Sequence, residues 1–129
     1  MAADHPAAVV IGADTMVSAG GRALGKPAGP EEARIMLRLL SGRTHTIYTA
    51  VQVVAGPHQA SGFARSQLTL RELSEAEIDR YLSFGESLDK AGAYSIQGHG
   101  QELATRRVGA LDTIIGLPLH LVRRLLAAV

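Results

Sequence analysis

The residues that open the chemical reading are Asp14 and Lys26. Asp14 ends the apolar run Val9-Val10-Ile11, after Gly12-Ala13, and Lys26 follows within Gly25-Lys26-Pro27. A buried strand holds a carboxylate rigidly, and a rigid carboxylate can serve as a general base or as a metal ligand. A lysine fixed beside a proline adds a positive charge, so the pair could sit against a phosphate-bearing substrate. The alternatives are ordinary ones. Asp14 could start a turn by bonding its own backbone two residues on, and Lys26 could be a solvated charge beside a turn.

Other common chemistries find no support. There is no Walker A pattern and no G-x-G-x-x-G after a strand, and no serine sits in a G-x-S-x-G elbow. His5, His45, His58, His99 and His120 show no metal-binding spacing, so they read as structural or surface residues. With no cysteine, a disulfide framework and a thiolate metal site are both excluded.

The elements that must position Asp14 and Lys26 follow from periodicity. Residues 7–17 are continuously apolar enough to predict a strand buried on both faces. Gly20-Gly21 predicts a tight turn, with Arg22 to Leu24 returning as a short strand. Gly29 as N-cap, Pro30 in the first turn and Glu31-Glu32 at the positive end of the dipole predict a helix. Its core face is Ala33, Met36, Leu37 and Leu40, and Gly42 ends it. Thr46 to Val54 reads as a strand turned by Gly56-Pro57, with Ser61 to Leu73 as its antiparallel partner. On that partner Arg65, Gln67, Thr69 and Arg71 alternate with Ala64, Ser66, Leu68 and Leu70, which makes the arginines a solvated face.

Ser74-Glu75-Ala76-Glu77 is a capping box, with Leu73 and Ile78 spaced as its hydrophobic staple. Ile78, Tyr81 and Leu82 give that helix an apolar stripe, and Gly85 stops it. Gln101 to Val108 is expected to form another strand. Pro118 opens a last helix with a core face of Leu121, Val122, Leu125, Leu126 and Val129, leaving Arg123 and Arg124 solvated. Strands interleaved with helices, plus a hairpin, predict an α/β fold around one mixed sheet with flanking helices.

Composition sets wide bounds. At 129 residues the chain is one domain. The apolar fraction of 47% and charged fraction of 19% are those of a globular protein. A formal charge of +1 gives no case for nucleic acid or an anionic membrane as partner. No stretch approaches the roughly 20 apolar residues of a membrane span, and Met1 to Pro6 lack the regions of a signal peptide. These features predict a cytoplasmic protein.

Several separated motifs occur in one order: Val10-Ile11-Gly12-Ala13-Asp14-Thr15, Gly25-Lys26-Pro27, and a helix from Glu31-Glu32-Ala33 to Leu40-Ser41-Gly42-Arg43-Thr44-His45. Asp89-Lys90-Ala91-Gly92-Ala93-Tyr94, Ile96-Gln97-Gly98 and Ile115-Gly116-Leu117-Pro118 follow. In that order they resemble the Maf family of nucleoside triphosphate pyrophosphatases, over essentially the whole chain. The resemblance implies a Maf/ITPase-like fold with the nucleotide in a cleft between two lobes. It implies a divalent cation, Mg²⁺ or Mn²⁺, and leaves a homodimer open. Asp14 takes the family's general-base position and shares in holding the metal, while Lys26 and Lys90 are directed at phosphate. Thr15 and Gln97 fall where the family chooses the base. A glutamine amide has both a donor and an acceptor, and the Ala-Asp-Thr and Ile-Gln-Gly forms resemble the dTTP/UTP subgroup.

The resemblance has departures. Ser95 stands where many members have glycine, and Ala110-Leu111-Asp112 replaces a more polar run. The family's first strand and helix, with a Ser-x-x-Arg-Arg/Lys motif, have no counterpart before Val9, so the chain reads as an N-terminally truncated member. That reading predicts little or no turnover, and solvent on the Val9 strand and the Leu37 helix where the absent elements would pack. It keeps two functions in view: hydrolysis of dTTP or UTP to the monophosphate and pyrophosphate, and a non-catalytic nucleotide-binding role in regulation linked to septum formation.

Overall fold

The computed structural model describes residues 8–129. Expectations for Met1 to Pro6, and for the start of the first strand at Ala7, lie outside the described residues. Among the described residues five strands form one sheet: β1 (Val9–Ala19), β2 (Arg22–Leu24), β3 (Thr44–Ala55), β4 (His58–Leu70) and β5 (Ala104–Val108), in the order β2-β1-β3-β4-β5. The α/β architecture is the expected one. The four pairings among the described residues all run antiparallel, where a mixed sheet was anticipated.

β3 is the centre. It pairs with β1 from Val9↔Ala55 to Ser18↔Thr46, and with β4 from Thr44↔Thr69 to Ala55↔His58. Its β-branched residues suit a pleated surface, and His45, Ile47, Thr49, Val51 and Val53 are buried on one face. On β4 the same face carries Ser66, Leu68 and Leu70, while Arg65 and Gln67 are exposed. The period of two is therefore kept on both central strands, and the helices cover one side only.

Four helices supply that cover: α1 (Pro30–Leu40), α2 (Glu75–Ser83), α3 (Leu111–Ile115) and α4 (Leu119–Ala127). α1 starts at the Gly29 cap with Pro30 in its first turn and buries Ala33, Met36, Leu37 and Leu40. Gly42, at φ +66°, reverses the chain into β3. The capping box of α2 is formed, with Ser74 Oγ accepting from Glu77 N–H at 3.2 Å and the Glu77 carboxylate accepting from Ser74 N–H at 3.2 Å. Leu73 and Ile78 are both buried beside it. Arg38 donates to both oxygens of Glu75 at 2.7 and 2.9 Å and joins α1 to α2. The larger core lies between these two helices and the sheet, and a smaller one joins Val51 and Val53 to Leu121, Val122 and Leu125 of α4.

Some expectations are corrected. The first half of β1 is not buried on both faces, since Val9 is 55% and Ile11 42% exposed. β2 pairs only with Val17–Ala19, and α3 and α4 pack mainly over β3 and β4, which leaves that stretch with little cover among the described residues. Leu37 is fully buried on the expected core face of α1, and the solvent expected on that helix meets Ile35 instead. The strand expected from Gln101 starts at Ala104, because His99–Leu103 coils into a 3₁₀ turn. α3 was not expected. Leu126 is exposed at 40%, which narrows the buried stripe of α4.

Candidate functional site

A cavity of about 470 Å³ opens between β1, the β2–α1 connection, residues 89–97 and α3. Its lining includes Asp14, Thr15, Lys26, Lys90 and Gln97, so the residues singled out from four separated motifs share one wall system. Ile47, Tyr94, Ile114 and Ile115 give it an apolar side.

Asp14 and Thr15 are successive residues of β1, paired with Ala50 and Thr49 of β3. Successive side chains leave opposite faces of a strand. Thr15 is on the helix-covered face, and Asp14 is exposed on the other. β2 stops at the partner of Val17, so the outer edge of β1 has no neighbouring strand beside Asp14. Both residues line the cavity. Lys26 and Lys90 line the same cavity and are exposed.

Thr15 Oγ1 lies 2.9 Å from Thr49 Oγ1, and Thr49 Oγ1 donates to the Thr113 carbonyl at 2.7 Å. The α3 backbone is thereby tied to the middle of the sheet. Gly116, at φ +116°, ends α3 against Thr15; a Cβ there would stand 3.2 Å from Thr15 Oγ1.

Gln97 rides on a tightly bonded loop. Tyr81 Oη accepts from Ser95 N–H at 2.7 Å and donates to Glu86 Oε1 at 3.1 Å. His99 N–H donates to both oxygens of Glu86 at 3.0 Å, and the His99 ring stacks on Phe84 at 3.7 Å. A side chain at Gly98 would collide with the Glu86 carboxylate, and one at Gly100 with the Ser95 carbonyl. None of these bonds uses the Gln97 side-chain amide. Burial pushes the Tyr81 hydroxyl up, so it stays protonated and able to donate.

Sequence reasoning passed over Asp89, which lines the cavity beside Lys90, and Glu86, which holds the Gln97 loop. Asp89 stands in the Asp89-Lys90-Ala91-Gly92 motif and could have been weighed there. Glu86 carried no such signal, since its partners lie 5 and 13 residues away. Among the described residues no group of three or more His, Cys, Asp or Glu could enclose a metal ion. Asp14 and Asp89 are the carboxylates on the cavity wall. A magnesium ion is often held by one or two carboxylates together with substrate phosphates, and that donor set fits such an ion.

A family profile described as Maf-like protein matches residues 1–129. The chain is 49% identical over 126 residues to a protein of Deinococcus radiodurans named dTTP/UTP pyrophosphatase, covering 98% of this chain and 65% of that relative. A protein of the same name from Moorella thermoacetica is 50% identical over 122 residues, covering 93% and 63%. Another from Myxococcus xanthus is 48% identical over 119 residues, covering 92% and 60%. The chain thus spans less than two thirds of the length of these relatives. With a profile match along its whole length and a relative 49% identical over 98% of it, the chain belongs to the Maf-like protein family.

Proposed function

We propose that the cavity is the site of a nucleoside triphosphate pyrophosphatase acting on dTTP and UTP in the cytoplasm. The observation that carries this reading is the meeting of two carboxylates, two lysines and a free side-chain amide in a single cavity, in a chain whose relatives bear that name.

In this mechanism Asp14 takes the proton of a water, and the water oxygen attacks the α-phosphorus of the substrate. The bond from that phosphorus to the bridging oxygen of the β-phosphate breaks. Pyrophosphate leaves with the bonding pair, and the nucleoside monophosphate remains. Lys26 and Lys90 neutralise phosphate oxygens, where charge gathers on the leaving group. A divalent cation held by Asp14, with Asp89 beside it, would supply Lewis-acid polarisation of the phosphates. Thr15 and Gln97 meet the base. The apolar side formed by Ile47, Ile114 and Ile115 limits water around it.

Pyrophosphate release from dTTP, UTP, CTP and GTP in the presence of Mg²⁺ tests the reading. Release should be fastest with dTTP and UTP. Equal rates on all four, or GTP leading, would rule it out.

A further inference from the structure

The bond between Thr15 and Thr49 has a direction. Thr49 has one hydroxyl proton, and its Oγ1 lies 2.7 Å from the Thr113 carbonyl oxygen, which can only accept. The proton is therefore committed to Thr113. The 2.9 Å contact between the two threonine hydroxyls then needs its proton from Thr15. Thr15 spends its single donor on Thr49 and turns only lone pairs toward the cavity it lines. Thr49 is wholly buried, so no water relieves this arrangement.

We propose that Thr49 is a positioning residue for base selection: it holds Thr15 as an acceptor, so the base edge meeting Thr15 must bring an N–H. The proposal rests on the reading of Thr15 as a base contact. Thymine and uracil carry an imide N–H at the ring position where cytosine carries a bare lone pair. Against Thr15, cytosine sets acceptor to acceptor, and a buried polar mismatch of that kind is strongly disfavoured. Gln97 can adapt to either base by turning its amide, but Thr15 cannot turn while Thr49 holds it. Gly116 fits the same account. Its missing side chain leaves room beside Thr15 Oγ1, where a Cβ would stand at 3.2 Å.

The test compares kcat and KM for UTP and CTP in the unaltered protein and in Thr49→Val, Thr49→Ser and Thr15→Ala. Thr49→Val keeps the shape and frees the Thr15 proton. The preference for UTP over CTP in kcat/KM should fall by about tenfold or more, through KM, with kcat on UTP little changed. Thr49→Ser restores the hydroxyl and should restore the preference. A general loosening of the fold would instead lower kcat on both nucleotides and be shared by the two Thr49 variants. If Thr15→Ala collapses the preference and Thr49→Val leaves it intact, the role of Thr49 is overturned while Thr15 stays a base contact. If Thr15→Ala itself leaves the preference intact, the base contact fails and this proposal with it. Should Thr49→Val not fold, Thr49→Cys takes its place, since a thiol is only a weak donor and acceptor; the same loss is expected at smaller amplitude, and an unchanged preference overturns the role.

Discussion

His45 Nε2 and Tyr94 Oη stand 2.6 Å apart, joining the buried end of β3 to the wall of the cavity. The other ring nitrogen, Nδ1, is buried with no partner among the described residues. A proton there would be an orphan donor, so the ring is best accommodated neutral with its proton on Nε2. Burial pushes His45 down to about 4 from its ordinary 6.5.

Stability should therefore fall with pH. The unfolded chain takes up a proton at His45 below pH 6.5, and the folded one does not until about pH 4. The contribution is complete above pH 6.5 and is lost progressively as the pH falls toward 4, amounting to about 3 kcal/mol by then. Urea denaturation at pH 7.5, 6, 5 and 4 would measure it. In His45→Gln the slope between pH 6.5 and 4.5 should flatten; a slope that stays as steep would assign the loss to other groups.

Asp14→Asn keeps the side chain's shape and removes its basicity. Turnover of dTTP should drop by about 10²-fold or more. Asp14 is exposed on β1, so the melting temperature should move little. Turnover near that of the unaltered protein, in a folded variant, would remove Asp14 from the reaction.

Glu86→Ala should loosen the loop that carries Gln97. Two amides of that loop, Ser95 N–H and His99 N–H, depend on Tyr81 and Glu86. Hydrogen exchange at His99 should quicken by about tenfold or more, since losing a charge-assisted bond costs about 1.5–3 kcal/mol. Exchange along β3 should be unaltered. Unchanged protection at His99 would mean that the glycine geometry of the loop holds it without the carboxylate.

Leu37 and Ile35 lie two positions apart on α1 and should differ sharply. Leu37→Ala empties a fully buried position and should destabilise by about 2–5 kcal/mol. Ile35→Ala, at a side chain 57% exposed, should stay within about 0.5 kcal/mol. Thermal or chemical melts of the two variants side by side would show whether α1 is buried as described.

Much of this was legible because local rules and tertiary packing agree. The face Ala33, Met36, Leu37 and Leu40, the capping box at Ser74, and the alternation along β4 are each written in a short window of sequence. The failures share a cause as well. Val9 and Ile11 look like core residues in any window, and the short reach of β2, with α3 and α4 packing mainly over β3 and β4, leaves them exposed. α3 is five residues long, too short for a helical period to show, and it holds its place through Thr49 and Asp112, which accepts from Leu119 N–H at 3.1 Å. For the site, motif order brought out Asp14, Lys26, Lys90 and Gln97, but neither the hydroxyl relay behind Thr15 nor the role of Glu86. Both depend on partners that become neighbours only when the sheet and its helices have come together.

The cavity has walls from β1, the β2–α1 connection, β3, residues 89–97 and α3, and no one of these segments could enclose it alone. An unfolded chain therefore offers an occupant nothing comparable to bind. By mass action any molecule seated there draws the whole folding equilibrium toward the native state, by about 2.7 kcal/mol at a hundred times its Kd. A rise in Tm with nucleotide concentration would thus report occupancy even under conditions where no bond is cleaved, and would rank bases by affinity separately from turnover.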